Sequence, residues 1–409
     1  MSNKDYLNSQ LITYLGNKRK LLPNIEKIVI DIKQRLDKKQ LRLLDLFSGS
    51  GSVSRLFKNH ASYLVVNDQE HYCDVISECY LANHSEVDLH KIKAVNEYFT
   101  AKLNTNYYKD WMGIIEANYA PKDDNNMVKS DRAFYTKENA KRLDFFSQII
   151  IDTISEKEQS FYIAPLLSEA SIHVNTGGRF TSFYKDKNTG IPQFGGTKSW
   201  NIKRILGTIE LNIPIFSENE CEYKILNSFD DMESTCICNL VEKELKNIEF
   251  DIAYIDPPYN DVRYGSSYFM LNILAKYEMH KHYFCQDDKG NFEYSQILDC
   301  GWLSHEYASN RSRISGILDN WNRSIFNSKE NSLKYLKYIV NFLNSKFIVI
   351  SYNPQKGFIT LDQLKTTLSL FGKLEIFEID YVQFKSGRGD QTKTIEYLFL
   401  LEKKLNART

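Results

Sequence analysis

The 409-residue chain lacks the features that would assign it to a membrane or to an oxidising compartment. No apolar run approaches the length of a membrane-spanning helix. Its seven cysteines are scattered and odd in number, which argues against a paired disulfide framework, and no signal peptide is recognisable. The sequence therefore predicts a cytoplasmic protein without a membrane partner.

The chain also lacks an excess of charge of either sign, because 52 Lys and Arg balance 52 Asp and Glu. Its overall charge neither favours nor excludes a nucleic-acid partner, so only local clusters can indicate one. Metal-ligand patterns are equally scarce. Cys236 and Cys238 form a C-x-C pair without a second ligand pair, and His280 and His282 flank a single lysine. We therefore expect no metal site.

Strand and helix patterns alternate at both ends of the chain. A buried strand at 41–47, a Gly/Ser turn, a short helix and a strand at 63–66 predict an α/β fold with a parallel sheet. Such sheets bind ligands at the carboxyl ends of their strands. Further strands are predicted at 223–226, 250–255, 346–352, 376–384 and 395–401, the last two antiparallel, and helices at 21–36 and 333–343.

The stretch 96–220 does not follow this alternation and is too long to be a loop in a compact domain. We interpret it as an inserted domain. The flanking segments, 1–95 and 221–409, would then form one catalytic domain. The stretch 260–330 is aromatic and polar without a clear period, and its role is open.

The most specific motif follows the strand predicted at 250–255 and consists of Asp256, Pro257, Pro258 and Tyr259. A carboxylate accepts hydrogen bonds from an exocyclic amine. The prolines stiffen the turn and leave carbonyl groups free to accept, while the tyrosine ring offers a stacking surface. Taken alone, a Pro-Pro turn also suits an ordinary loop. The motif predicts a pocket for a flat, amine-bearing base.

A second motif, Asp45-x-Phe47-x-Gly49-x-Gly51, ends the first predicted strand. Its glycines allow the backbone to approach a ligand closely. The alternative is a tight strand-to-helix turn, which any α/β protein can contain. Ser54 occupies the third glycine position of the dinucleotide fingerprint, which disfavours an NAD site.

Other residues could complete a cofactor crevice. Asp68 ends the second strand, where an acid can accept hydrogen bonds from a ribose diol, although a solvated loop acid is equally compatible. Tyr14 and Lys18 precede the first helix, where a glycine turn and lysines suit an anionic group. Asp230 or Asp231 could contact an adenine amine, and the alternative is a helix N-cap at Ser228 or Asp230.

The inserted region contains a local basic segment, residues 179–204, with six basic residues against one acid and a net charge of +5. Glycines, amides and aromatics are interleaved with these charges, which suits a surface that binds phosphates and bases, although a solvated loop is equally compatible. The candidate DNA-binding residues are Arg179, Lys185, Lys187, Lys198, Lys203 and Arg204.

In this order, the segments resemble the Dam-like adenine-specific N6 DNA methyltransferases. The corresponding motifs are a lysine motif at 14–22, F-x-G-x-G at 47–51, an acidic strand end at 67–68, an inserted recognition domain at 96–220 and D-P-P-Y at 256–259. The resemblance implies a Rossmann-like S-adenosylmethionine-dependent methyltransferase sheet. It also implies a flipped-out adenine in double-stranded DNA as substrate, and a cognate restriction endonuclease is a further partner to consider.

The resemblance also implies residue roles. Tyr14, Lys18 and residues 47–51 would line the cofactor site, and Asp68 would bind the ribose. Asp256 and Tyr259 would hold the adenine. Within 260–330, the residues considered as further DNA contacts are Tyr264, Tyr268, Arg311 and Arg313.

Two alternative functions stay open at this point. One is a methyltransferase that acts on RNA or on a protein amide, and the other is a non-catalytic DNA-binding protein on a methyltransferase scaffold.

Overall fold

The computed structural model describes residues 3–105, 113–196, 199–228, 236–277, 285–286, 292–293, 316–317, 324–384 and 391–404. Among the residues predicted above to form sites, Lys198, Asp230 and Asp231 lie outside the described residues, as do Arg311 and Arg313.

A seven-stranded sheet forms the centre of the protein. The strands of this sheet are β1 (Leu41–Asp45), β2 (Ala61–Asp68), β3 (Glu222–Asn227), β4 (Phe250–Ile255), β7 (Ser345–Tyr352), β8 (Gly372–Phe384) and β9 (Gln391–Lys403), and two short strands outside it are β5 (Cys285–Gln286) and β6 (Phe292–Glu293). The order in the sheet is β3-β2-β1-β4-β7-β9-β8, and β5 pairs with β6 separately.

The pairing within the sheet changes from parallel to antiparallel at one edge. Strands β3, β2, β1, β4 and β7 are mutually parallel. Strand β9 runs antiparallel to β7, and β8 runs antiparallel to β9. The predicted parallel sheet and its antiparallel pair are thus confirmed, and the fold is a Rossmann-like α/β sheet.

Helices cover both faces of the sheet and build the inserted region. They are α1 (Asn3–Asn8), α2 (Leu22–Leu36), α3 (Ser52–Lys58), α4 (His71–Leu81), α5 (Leu89–Leu103), α6 (Ile114–Tyr119), α7 (Lys137–Thr153), α8 (Glu156–His173), α9 (Ser199–Ile205), α10 (Cys236–Lys243), α11 (Tyr264–Ser267), α12 (Phe269–Ala275), α13 (Ser332–Phe342) and α14 (Leu361–Ser369). A 3₁₀ turn at Lys18–Leu21 leads into α2.

Side chains that alternate between the two faces of the central strands divide the core around the sheet into two layers. In β1, Leu43 packs with the apolar faces of α2 and α3, whereas Leu44 packs with α10, α13 and α14 on the other side. All six residues of β4 are buried, as expected for a strand covered on both faces. The carboxyl ends of the parallel strands therefore stand between two helical layers.

The region expected to be an inserted domain shares its hydrophobic core with neighbouring helices. Phe146 of α7 and Leu166 of α8 belong to one buried cluster with Ile76 of α4 and Leu271 of α12. Helix α5 begins at Leu89, before the expected boundary at residue 95. The boundaries of the inserted domain remain a prediction.

Within the described ranges, no helix combines the length and apolarity that a membrane crossing needs. The same part of the chain holds no cluster of His, Cys, Asp and Glu that could ligate a metal ion.

Candidate active site

A cavity of about 240 Å³ opens at the carboxyl ends of β1, β2 and β4. The parallel register brings these strand ends to the same edge, so motifs that are distant in sequence meet there. The predicted residues that line the cavity are Tyr14, Lys18, Asp45, Phe47, Gly49, Asp68, Asp256, Pro257, Pro258 and Tyr259. Gly51 caps the start of α3.

The turn after β1 requires glycine at two positions. Gly49 has φ +50° and Gly51 has φ +73°, a backbone region that other residues adopt only at a cost. A Cβ atom on Gly49 would stand 3.0 Å from Cε1 of Tyr14. The turn and the Tyr14 ring are therefore packed against each other with no room for a side chain.

Asp68 ties this turn to the end of β2. Its carboxylate accepts hydrogen bonds from the backbone N–H groups of Gly49 (2.8 Å), Gln69 (2.8 Å) and Glu70 (3.1 Å). Burial raises the pKa of Asp68, and these three donors oppose the rise. The acid predicted at this strand end thus holds the glycine turn in place.

Asp45 is fully buried at the cavity wall. Its Oδ2 accepts a hydrogen bond of 2.6 Å from the Ser54 hydroxyl, whereas Oδ1 has no hydrogen-bond partner among the described residues. Burial raises the pKa of Asp45 to about 7. Because buried acceptors are normally satisfied, this oxygen suits a donor or cation that a ligand would bring.

Lys18 is buried between two carboxylates. Its Nζ lies 3.1 Å from Oδ1 of Asp256 and 2.9 Å from Oε1 of Glu396. Burial lowers the pKa of Lys18, but the two acids more than compensate and raise it well above its usual value. The ammonium expected to meet an anionic ligand group therefore already bridges two acids of the protein.

Asp256 begins the D-P-P-Y corner directly after β4. The pKa of Asp256 is raised to about 6, chiefly by burial. The Lys18 ammonium opposes this rise, and the Glu396 carboxylate adds to it. An acid with this pKa is mostly ionised at neutral pH, so its oxygens can accept hydrogen bonds.

Glu396 was not anticipated from the sequence. It is an acid inside the otherwise apolar run Ile395–Leu398 of β9, and it is only 4% exposed. A charged residue within an apolar run that predicts a buried strand is the sequence feature that could have identified Glu396.

Tyr259 closes the corner beside this ion cluster. Its ring packs against Tyr352 with centroids 5.5 Å apart at an angle of 61°, and Nζ of Lys18 lies 5.9 Å from its centroid. The carbonyl of Tyr259 accepts a hydrogen bond of 2.9 Å from the N–H of Phe358. Neighbouring segments thus fix both the backbone and the ring.

Helix α11 and the residue after it bring two tyrosines against Tyr14. Tyr268 stacks on Tyr14 at 5.0 Å, and its hydroxyl accepts a hydrogen bond from Leu15 N–H at 2.7 Å. Tyr264 lies 5.2 Å from Tyr14 and donates to the carbonyl of Leu15 at 3.2 Å. Because Tyr268 is fully buried, the expectation that it contacts DNA is wrong.

The basic segment begins beside the cavity. Phe180 N–H donates to the carbonyl of Ser267 at 2.8 Å, and a Cβ on Gly178 would stand 3.0 Å from Cγ2 of Thr13. Arg179 is half-buried at this junction. Residues 178–180 therefore contact both the irregular segment leading to Tyr14 and the helix that follows the D-P-P-Y corner.

The remaining described basic residues differ in surroundings. Lys187 and Lys203 are exposed, while Lys185 is half-buried with its ammonium 4.6 Å from the Phe183 ring centroid. Arg204 donates to the carbonyls of Val174 (2.8 Å) and Thr176 (3.1 Å), so its guanidinium fixes the chain that leaves α8. DNA contacts by these residues and by Lys198 stay predictions.

Comparisons with known proteins place the chain in a family. The sequence profile of the family described as D12 class N6 adenine-specific DNA methyltransferase matches residues 14–298. The chain is 24% identical over 402 residues to the type II methyltransferase M.NlaIII of Neisseria lactamica, covering 96% of this chain and 99% of that protein. It is 27% identical over 402 residues to the modification methylase StsI of Streptococcus sanguinis, covering 96% of this chain and 52% of that protein.

A third relative is the type II methyltransferase M.CviAII of Paramecium bursaria Chlorella virus 1, which is 24% identical over 400 residues, with 95% of this chain and 98% of that protein covered. These matches do not favour an RNA or protein substrate, or a scaffold without activity. The chain belongs to the D12 class N6 adenine-specific DNA methyltransferases and is a DNA adenine N6-methyltransferase.

Proposed function

We propose that the cavity binds S-adenosyl-L-methionine next to an adenine flipped out of double-stranded DNA, and that Asp256 and Pro257 hold the adenine amine. The observation that carries this proposal is the meeting of the D-P-P-Y corner with the glycine turn of β1 in one cavity. When bound, the cofactor supplies a methyl group activated on a sulfonium.

Methyltransferases of this family use S-adenosyl-L-methionine, and the residues present suit it. Oδ1 of Asp45 is buried and lacks a hydrogen-bond partner among the described residues, so it can take the cofactor's ammonium. Gly49 lets the turn run close to the Tyr14 ring, because it has no Cβ that would clash with it. Asp68 lines the cavity at the end of β2, where its carboxylate would accept a hydrogen bond from a ribose hydroxyl.

Asp230 or Asp231, after β3, and Lys18 and Tyr14 complete the proposed cofactor site. Phe47 lines the cavity with its ring 5.5 Å from that of Phe326. A donor that reaches Asp45 would satisfy the buried oxygen and hold that acid in its ionised form.

The adenine amine is a poor nucleophile because its lone pair is delocalised into the ring. Asp256 and the Pro257 carbonyl would each accept a hydrogen bond from one of the two N–H groups of the amine. This arrangement favours a pyramidal nitrogen whose lone pair points at the methyl group. The two prolines provide a stiff turn for this task. Positioning and electrostatic preorganisation are thus the main catalytic contributions of the protein.

Flipping the base costs a few kcal/mol, and stacking on Tyr259 can return about 1–3 kcal/mol. Recognition of the surrounding duplex would come from the region 96–220. Within it, Lys185, Lys187, Lys198 and Lys203 would meet phosphates, as would Arg179 near Tyr268. Arg204 would support this surface through its bonds to backbone carbonyls.

The relatives named above are type II and modification methylases. We therefore propose that this protein marks the recognition site of a cognate restriction endonuclease. Methylation would then protect the host's own copies of that site.

The test is to incubate the purified protein with duplex DNA and cofactor carrying a deuterated methyl group, then to analyse the nucleosides by mass spectrometry. We expect deuterated N6-methyladenine from the duplex and no label in matched RNA or protein. Label in RNA or protein, or none in duplex DNA, would overturn the proposal.

A further inference from the structure

Three ionisable side chains, two buried and one partly exposed, meet where the 3₁₀ turn before α2, the D-P-P-Y corner and β9 come together. The exposed fractions of the Lys18, Glu396 and Asp256 side chains are 7%, 6% and 17%. One ammonium lies within about 3 Å of both carboxylates, so the cluster carries one negative charge when all three groups are ionised.

Strand β9 and its neighbour β7 hold Glu396 in place. Its Oε1 lies 3.5 Å from the Ser351 hydroxyl, and its Oε2 lies 3.4 Å from the amide nitrogen of Asn353. Strand β9 pairs with β7 up to Tyr352, beside these two residues. Glu396 is therefore anchored in the sheet and not on a loop that follows the substrate.

We propose that Glu396 is a positioning residue for methyl transfer, because it shares the Lys18 ammonium with Asp256 and so keeps the Asp256 carboxylate available to the adenine amine. This inference rests on the proposed role of Asp256. Without Glu396, Lys18 would have a single buried carboxylate to pair with. That carboxylate would be Asp256, and a tight ion pair there would compete with the substrate.

The charges around Asp256 predict in which direction its pKa shifts when a neighbouring charge is removed. The ionisable neighbours are Lys18, Glu396, Asp45, Tyr254, Tyr259 and Tyr264. Burial raises the pKa of Tyr254 and of Tyr264 well above their usual values, so both stay neutral near pH 7. Neutralising Glu396 removes a nearby negative charge and should make Asp256 a stronger acid, whereas removing Lys18 should make it a weaker one.

The experiment measures the single-turnover methylation rate of duplex DNA against pH for the wild-type protein and for Glu396→Gln. We expect the plateau rate of the variant to fall about tenfold, while the acidic limb of its profile moves about one pH unit lower. A purely structural role would lower the rate without this movement of the limb. An unmoved limb, or one moved to higher pH, would overturn the proposal.

A matched control is Glu402→Gln, which makes the same change on the same strand. Glu402 is 47% exposed and lies 3.8 Å from Arg35, far along β9 from the cavity. Its profile should coincide with that of the wild type, and a shifted acidic limb in this control would also contradict the proposal.

Two further variants decide the matter if Glu396→Gln fails to fold in a thermal-unfolding scan. Glu396→Asp keeps the charge, so its acidic limb should stay at the wild-type pH. Lys18→Met should move the limb to higher pH. Movement in the opposite direction for Lys18→Met, or a clear shift for Glu396→Asp, would overturn the proposal. Failure of the proposed function is a separate result, since the wild-type protein itself would then transfer no methyl group to DNA.

Discussion

Gly49→Ala should damage both stability and cofactor binding. The new Cβ would stand 3.0, 3.2 and 3.3 Å from Cε1, Oη and Cζ of Tyr14. The Tyr14 ring cannot move away easily, because the ring centroids of Tyr268 and Tyr264 lie only 5.0 and 5.2 Å from its own centroid. A φ of +50° adds a backbone cost for any L side chain.

The two costs can be sized separately. A left-handed conformation costs about 1–2 kcal/mol, and forcing a methyl group into a packed site costs about 1–3 kcal/mol. The free energy of unfolding should therefore fall by about 2–5 kcal/mol. If the turn must be restored to its original position when the cofactor binds, and this costs about 2 kcal/mol, the cofactor affinity should fall roughly 30-fold.

Gly190→Ala is the matched control, because Gly190 has φ +71° but a Cβ there would meet only the flexible end of Lys129, at 3.4 Å. Urea unfolding should show the backbone cost alone, and calorimetric titration should show unchanged cofactor affinity. If Gly49→Ala lost no more stability than Gly190→Ala and bound the cofactor normally, the assignment of this turn would be refuted.

Three further outcomes are expected. Replacing Lys185, Lys187 and Lys203 with Gln should reduce the slope of log affinity for DNA against log salt by about 3, and an unchanged slope would place the DNA surface elsewhere. Tyr259→Phe should keep most methylation activity and Tyr259→Ala should lose it; equal losses would assign the role to the hydroxyl. Asp45 has a folded pKa near 7 against 3.8 ordinarily, so its stabilising contribution is full below pH 3.8 and lost as pH rises through 7. The unfolding temperature of Asp45→Asn should therefore change less between pH 4 and 7 than that of the wild type. The same pH dependence in both proteins would contradict this prediction.

Motifs that are compact in sequence were predictable because local pattern determines local geometry. The glycines at 49 and 51 predicted a turn that approaches a ligand closely, and both have positive φ in the structure. The Asp256 corner follows a strand that is buried throughout, as predicted. The meeting of these segments followed from the rule that parallel strands present their carboxyl ends at one edge.

Long-range contacts were beyond this reasoning. Glu396 is separated from Lys18 by 378 residues, and only the antiparallel position of β9 beside β7 brings them together. Charge counting also could not distinguish the surroundings of individual basic residues. Arg204 counts as one positive charge in the sequence, but its guanidinium is bonded to backbone carbonyls in the fold.

Asp256→Ala tests the central claim most directly, and the structure favours a folded variant because Lys18 keeps its ion pair with Glu396. We predict that this variant binds S-adenosyl-L-methionine with near wild-type affinity, while its single-turnover rate on duplex DNA falls at least about a hundredfold. Asp261→Ala, an exposed acid five residues further on, should retain the wild-type rate. Methylation by Asp256→Ala at a rate close to that of the wild type would contradict the account.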